Sequence, residues 1–316
     1  KQFNQTISQE ISKILTTKSK LKDESKNILK ERTDYINQYK KNNIINLDNK
    51  TYSLCNNLGE GTYGIVWKVC DNFNNFYALK LNKTNDIAGE ELHLQLSNIE
   101  SLVSGLSINQ INIPQTTTYI NCFLMELGNP ILKVSFDDCF EIIRDIYINL
   151  TDLYKYKLCH NDIKPDNIIK RMNGKYSLID FSLCTYNNEN IDCYTIQTRW
   201  YKSRDVLVNF HTQNQLQSDL WALACTVVEL YSSFVLFQGK DEKHQLQLVD
   251  TFMDLSVNDK FNYIYNLSFK KDDSDISYKN KKMYVDLILI ILLNDCGESS
   301  ETNLLQLINE CINALK

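Results

Sequence analysis

The chain has 316 residues, 43% of them hydrophobic and 11% aromatic, with three prolines and nine glycines. Such a composition excludes a long disordered linker and leaves room for one two-lobed domain or two small ones. Net charge is −5, but the first fifty residues carry eleven Lys/Arg against six Asp/Glu, so the remainder sits at −10. An acidic body does not suit a nucleic-acid groove, and its field favours basic protein partners.

Ten cysteines occur without a C-x-x-C and lie in apolar contexts such as "LWALACTVVEL". They read as reduced, buried thiols of an intracellular protein, in cytoplasm or nucleus. No signal peptide opens the sequence, and "LILIILL" at 287–293 is too short to span a bilayer. The richness in Asn, Ile and Lys fits an AT-rich genome, that of a virus acting in a host cell included.

In chain order, residues 1–47 are polar and Lys-rich and read as a solvated extension, although Leu21, Ile28 and Tyr35 would give a weakly amphipathic helix. From Tyr52 to Leu81, "YSLCNNLGEGTYGIVWKVC" and "NFYALKLN" are β-prone runs broken by Gly- and Asn-rich turns, a meander of about three strands. A helix-prone stretch over 86–106 follows, then strand-like segments around 111–127. From 138 onward helices dominate. Apolar residues at 140, 143, 146, 150 and 153 recur at helical spacing, and "DLWALACTVVELYSSF" is apolar all round and should be buried. The expected architecture is α+β: a first lobe over 48–128 rich in strands, a helical second lobe over 129–316, and a hinge near 126–130.

Four motifs carry chemistry. "GEGTYGIV" at 59–66 is G-x-G-x-x-G-x-V, whose glycines allow close backbone approach to phosphates and positive φ. A Rossmann fingerprint would lead into a helix; here a second strand follows and ends in "YALK", placing Lys80 where it can reach phosphate oxygens. "HNDIKPDN" at 160–167 offers Asp162 to position and deprotonate a hydroxyl and Lys164 to neutralise a moving phosphoryl group. Asn167 and the Asp180 of "LIDFS" are oxygen ligands suited to Mg²⁺. Phosphoryl transfer needs mainly positioning and charge neutralisation, and these residues supply both.

In this order and at these gaps, the motifs resemble a eukaryotic-type protein kinase with a bilobal fold, over roughly residues 52–316. "IQTRWYKSRDVLV" and "SDLWALACTVVELYSSFVLF" resemble the CMGC group. Within it, the SR-protein-kinase branch is most similar, because "IQTR-Y" and a small polar residue at Asn161 are typical there. The resemblance implies ATP and Mg²⁺, a protein substrate, no direct nucleic-acid binding and Ser/Thr transfer. It assigns Gly59, Gly61 and Gly64 to the phosphates, Leu58, Val66 and Ala78 to the roof of the adenine pocket, and Ile169 to its floor. In "LMELG", Met125 becomes the gatekeeper, with Glu126 and Gly128 binding adenine through their backbones. Thr198 becomes the hydroxyl that bonds Asp162 and Lys164, Asp219 the acceptor for the catalytic-loop backbone (against a plain helix cap), and His160 and Phe181 core residues. Lys80 needs a glutamate partner on the next helix. Glu91 in "GEELHLQL" is the favoured choice, with Glu90 and Glu100 as alternatives.

Three departures stand out. Asn161 replaces an Arg that grips a phosphorylated loop, which implies activity without activation-loop phosphorylation; Tyr186, Tyr194 and Thr195 lie in that segment. Ser182 replaces a Gly, implying a stiffer turn. "SRD" at 203–205 replaces A-P-E, and with no Arg after Arg204 the usual buried ion pair to Asp205 cannot form, so Asp205 should be solvated, capped or paired with Lys. These departures keep open a second reading, a catalytically impaired pseudokinase or scaffold. A small-molecule kinase fits less well, lacking "TRWYKSRDVLV". Basic, Arg/Ser-rich proteins are the favoured substrates on charge, with Asp241 and Glu242 as acidic contributors.

Overall fold

The computed structural model describes residues 2–18, 26–42, 44–61, 63–131, 133–187, 196–208, 215–269, 273–293 and 301–315. Leu21, Tyr194 and Thr195 lie outside the described residues. Contacts divide the chain into two units, Lys1–Asn129 with Asp180–Ser182, and Pro130–Ile179 with Leu183–Lys316.

The first unit opens with two helices, α1 (Gln2–Lys18) and α2 (Lys26–Asn42). A six-stranded antiparallel sheet follows: β1 (Ile44–Leu47), β2 (Lys50–Glu60), β3 (Gly64–Asp71), β4 (Phe76–Asn82), then, after helix α3 (Ala88–Gln95), β5 (Gly105–Asn112) and β6 (Tyr119–Glu126), in the order β1-β2-β3-β4-β6-β5. Alternation places Ile65, Trp67 and Val69 of β3 and Leu79 and Leu81 of β4 on one face, where Ile120, Cys122 and Leu124 join them. The solvated-extension reading of residues 1–47 is overturned: α1 buries Ile7, Ile11 and Leu15, and α2 buries Arg32 and Ile36. Isolated apolar residues in a Lys-rich run looked too sparse to pack, but i, i+4, i+8 spacing lines them up on one face. The helix in the 86–106 stretch ends early, at Gln95. Beyond it the Ser97 hydroxyl turns back to the His93 and Gly105 carbonyls, the local bonding by which serine competes with a helix.

A short strand β7 (Gly128–Pro130) ends this part of the chain. The second unit is helical. Its first helix, α4 (Phe136–Tyr154), starts at a capping box in which the Ser135 hydroxyl accepts from the Asp138 N–H and the Asp138 carboxylate accepts from the Ser135 N–H. After it come β8 (Leu158–Cys159), β9 (Ile168–Arg171), β10 (Tyr176–Leu178) and β11 (Thr185–Tyr186), with β9 paired to β10 and β8 to β11. The remaining helices are α5 (Arg204–Val208), α6 (Gln215–Ser232), α7 (Glu242–Met253), α8 (Val257–Ser268), α9 (Tyr278–Leu293) and α10 (Glu301–Leu315). As its sequence suggested, α6 is the buried axis: Ala222, Leu223, Ala224, Val227 and Val228 are fully enclosed, and α4, α8 and α9 pack around it. Among the described residues, no helix is long and apolar enough to cross a membrane.

Candidate active site

The residues singled out in the first unit fall around β2, β3, β4 and α3. The Gly-rich turn joins β2 to β3, and its glycines serve two purposes. A Cβ on Gly64 would lie 2.6 Å from the Leu81 carbonyl oxygen, so that glycine is required by the neighbouring strand. A Cβ on Gly59 or Gly61 would meet nothing within 4 Å. Neither has a positive φ, contrary to the conformational reason expected for them. The space they leave is therefore open, a backbone surface that an anionic ligand could approach. Lys83 steadies the turn, its Nζ 3.2 Å from Glu60 Oε1 and 3.1 Å from the Gly61 carbonyl oxygen.

Below this turn Ala78 and Met125, directly paired across β4 and β6, form an apolar cluster with Phe123 and Leu127, against which Leu58 and Val66 pack. Of the residues expected at an adenine pocket in this unit, Leu58, Val66, Ala78 and Met125 share one apolar patch, and Gly128 is buried two residues beyond β6. The Glu126 N–H donates to the Ser104 carbonyl, so only its carbonyl oxygen could face a base. Ile169 lies buried on β9 in the other unit.

Lys80 projects from β4 and pairs with Glu90, Nζ to Oε1 at 2.5 Å, both side chains nearly enclosed. This corrects the choice of Glu91. Adjacent helical residues point about 100° apart, so one face of α3 can present only one of them to β4. Glu91 is left half-buried, and burial first, then the Glu90 and Asp86 charges, push its carboxyl up. Glu100 lies beyond the end of α3. Burial pulls the Lys80 ammonium down, but the Glu90 and Asp180 charges outweigh it and leave its pKa raised. Asp180 itself sits at φ 63°, a left-handed conformation that Asp tolerates. Its Oδ1 accepts from the Ser182 N–H at 3.3 Å. The positive φ falls on Asp180 and not on Ser182, which is why serine is accommodated where glycine was expected.

Gly89 is a feature the sequence reading missed. A Cβ there would stand 2.7 Å from the Ser182 backbone and 3.0 Å from the Phe181 carbonyl carbon. A glycine inside a short helix, where Ala would be favoured by about 1 kcal/mol, was the available signal. The Phe181 ring lies tilted against His93, centroids 4.8 Å apart, and His93 in turn lies 5.1 Å from Phe123 and bonds the Val103 carbonyl through Nε2 at 2.7 Å.

In the second unit the "HNDIKPDN" loop gathers four expected residues. Lys164 Nζ donates to Asp162 Oδ2 at 2.7 Å, Asn167 Nδ2 donates to the same oxygen at 2.9 Å, and Thr198 Oγ1 donates to Oδ1 at 2.9 Å. Lys164 also reaches Thr198 Oγ1 at 3.2 Å. An ionised carboxylate offers about four acceptor sites. Among the described residues three are used, which leaves one on Oδ1, beside Thr198. Asn167 spends its amide protons on Asp162, including the Asp162 carbonyl at 2.8 Å, which turns its own amide oxygen the other way. That oxygen and the Asp180 carboxylate are hard donors of the kind a divalent cation such as Mg²⁺ takes.

The loop is held from below. Asp219, fully buried within α6, accepts from the His160 N–H at 2.7 Å and the Asn161 N–H at 2.9 Å. It lies inside the helix and is no cap. Burial pushes its carboxyl up to about 7, against the pull of those two bonds. His160 is fully enclosed and bonds the Ile179 carbonyl at 3.1 Å, a structural role. Asn161 is also fully enclosed, at φ 61°. Its Nδ2 donates to Thr185 Oγ1 at 2.7 Å and the Leu183 carbonyl at 3.2 Å, and its carbonyl accepts from the Gln197 N–H at 2.9 Å. One neutral side chain and its backbone thus tie down both ends of the segment that carries Tyr186.

Asp205 is exposed in the first turn of α5, where the helix N-terminus favours an acid, so the solvated alternative is the observed one. The anchoring of this segment comes from elsewhere. Lys202 Nζ, almost fully buried, lies 3.0 Å from Glu242 Oε1, and Arg204 Nε lies 2.6 Å from Asp250 Oδ1. Asp241 caps α7 through the His244 N–H. Both acidic residues proposed as contributors to substrate charge therefore have internal partners.

Among curated proteins, the chain is similar to a CTD kinase subunit alpha of Saccharomyces cerevisiae, 26% identical over 66% of this chain and 42% of that protein. Human dual specificity tyrosine-phosphorylation-regulated kinase 4 is 28% identical, over 63% of this chain and 41% of that one. Mitogen-activated protein kinase 5 of Oryza sativa subsp. indica is 26% identical, over 68% and 62%. The chain thus spans less than two thirds of the length of these relatives, all kinases of the CMGC group. Residues 52–314 match the protein kinase domain, and the chain belongs to that family, as a divergent member with CMGC relatives.

Proposed function

We propose that the protein is an ATP-dependent serine/threonine kinase, active in cytoplasm or nucleus, that phosphorylates other proteins. The observation that carries this reading is the Asp162 carboxylate, held in place by Lys164, Asn167 and Thr198 with one acceptor site left over among the described residues. A substrate hydroxyl donating to that site would give its proton to Asp162 as its oxygen bonds to the γ-phosphorus, while the bond from that phosphorus to the β–γ bridging oxygen breaks and ADP leaves. Lys164 would offset charge on the phosphoryl group during transfer. Lys80, oriented by Glu90, would hold the α- and β-phosphates, beneath the open backbone of Gly59 and Gly61. Leu58, Val66, Ala78, Met125 and Ile169 would contact the adenine, with the Glu126 carbonyl and Gly128 backbone as its polar partners. Asn167 and Asp180 would hold Mg²⁺. When bound, that ion neutralises phosphate charge.

Activity should not need a phosphorylated activation segment. Asn161 cannot make a bidentate phosphate contact, and its buried hydrogen bonds to Leu183, Thr185 and Gln197 do the tethering instead. Basic, Arg/Ser-rich proteins, as in the SR-protein-kinase branch, are the proposed substrates. That choice rests on the −10 charge of residues 51–316, since Asp241 and Glu242 are internally engaged.

Radiolabelled ATP with a panel of basic and neutral proteins tests the reading. Asp162→Asn should lower kcat by about a thousandfold or more while leaving ATP affinity within about twofold. Turnover at the wild-type rate would remove Asp162 as the base. Protein expressed in bacteria and treated with phosphatase should retain its activity; activity that appears only after loop phosphorylation would end the second claim. ATP binding without transfer to any protein would favour the pseudokinase reading, and no preference for basic sequences would remove the Arg/Ser-rich one.

A further inference from the structure

α1 and α2 play no part in the chemistry above, yet both are built into the first unit. α1 lies against α3, and its buried side chains Ile7, Ile11 and Leu15 form one row, with Ile11 fully enclosed. α2 contributes Arg32, 2% exposed. Its guanidinium donates from Nε to the Tyr119 carbonyl at 2.8 Å, from Nη2 to Asn85 Oδ1 at 2.6 Å and from Nη1 toward the Lys83 carbonyl at 3.5 Å. The link over 83–87 runs from the strand of Lys80 to the helix of Glu90. It is therefore fixed at its start by Arg32, while the helix at its end is covered by α1.

We propose that α1 and α2 form a built-in clamp that positions α3, and with it Glu90 on Lys80. α3 has eight residues and no side-chain cap at Ile87, and it contains Gly89. A helix so short has little stability of its own, so packing must set its place. Removing α1 would expose one side of α3 and loosen the only element that presents Glu90. Arg32 adds a directional hold, because its planar fork reaches acceptors on β6 and on the link together. A lysine could not reproduce that. Lys83 extends the hold to the Gly-rich turn through Glu60 and Gly61. Ile11 and Arg32 are positioning residues. The catalytic consequence rests on the kinase reading; the clamp itself does not.

The test uses the full chain with Ile11→Ala, Arg32→Lys and the exposed control Gln9→Ala, each with and without Glu90→Ala. Ile11→Ala and Arg32→Lys should speed amide exchange across residues 88–95 by about tenfold or more, and the control should not. Both should lower kcat/KM for ATP by about tenfold when Glu90 is present. With Glu90→Ala, the same substitutions should change it by less than about twofold, because their effect passes through Glu90. Unchanged exchange at α3, or an equal kinetic loss in both backgrounds, overturns the proposal. A chain that transfers no phosphate at all overturns the kinase reading, and exchange at α3 still decides whether the clamp exists.

Discussion

The sharpest prediction concerns two neighbouring glutamates. Lys80 and Glu90 meet at 2.5 Å with side-chain exposures of 14% and 6%. Breaking a buried pair by removing one partner costs about 3–5 kcal/mol. Glu90→Gln keeps the shape and one acceptor for Lys80, and Asp180 still faces the ammonium, so the lower end of that range applies, about 3 kcal/mol. For a chain of 316 residues this corresponds to a fall in Tm of roughly 5 °C. Glu91→Gln should act with the opposite sign. Its carboxylate is half-buried beside the like charges of Glu90 and Asp86, so neutralising it should be neutral or stabilise by up to about 0.5 kcal/mol. Chemical denaturation and calorimetry of the two variants, with Lys80→Met to close a double-mutant cycle, give the comparison. The coupling should appear for Lys80 with Glu90 and vanish for Lys80 with Glu91. A larger loss from Glu91→Gln, or no coupling between Lys80 and Glu90, would refute the assignment.

Two further predictions concern positions with no role in binding. Gly89→Ala would drive a Cβ to 2.7 Å from the Ser182 backbone, and rigid backbone cannot yield as a flexible side chain can. A loss of about 1–3 kcal/mol is expected where Ala would ordinarily stabilise a helix; a raised Tm would show that the close approach is absent. Asp219 titrates near 7 in the folded protein because burial disfavours its charge, against an unfolded value of 3.8. Its contribution to stability is thus fully present below about pH 4 and is lost as pH rises through about 7, at up to about 1.4 kcal/mol per pH unit. Asp219→Asn should flatten that slope in unfolding free energies measured from pH 4 to 8, and an unchanged slope would dismiss Asp219 as its source.

Much of the candidate site is legible in the sequence because it is local. "HNDIKPDN" places Asp162, Lys164 and Asn167 within six residues, and so short a loop leaves few ways to arrange them. The Gly-rich turn and "YALK" are likewise adjacent strands of one meander. The buried α6 announces itself by being apolar on every face.

What only the tertiary structure decided are the relations between distant residues or between near-equivalent neighbours. Glu90 and Glu91 are chemically identical, and the choice between them is made by the phase of α3 relative to β4, which no local pattern carries. The role of Gly89 depends on a backbone 92 residues away in the chain, at Phe181 and Ser182. Residues 1–47 read as polar and solvated because their apolar residues are few. Packing on α3 and on the sheet gives those few a partner, and a buried Arg32 becomes acceptable once three acceptors surround it. The sequence by itself determined which groups could perform phosphoryl transfer. Their partners and supports are set by non-local packing, where a single helical turn or one opposing backbone decides between residues of the same type.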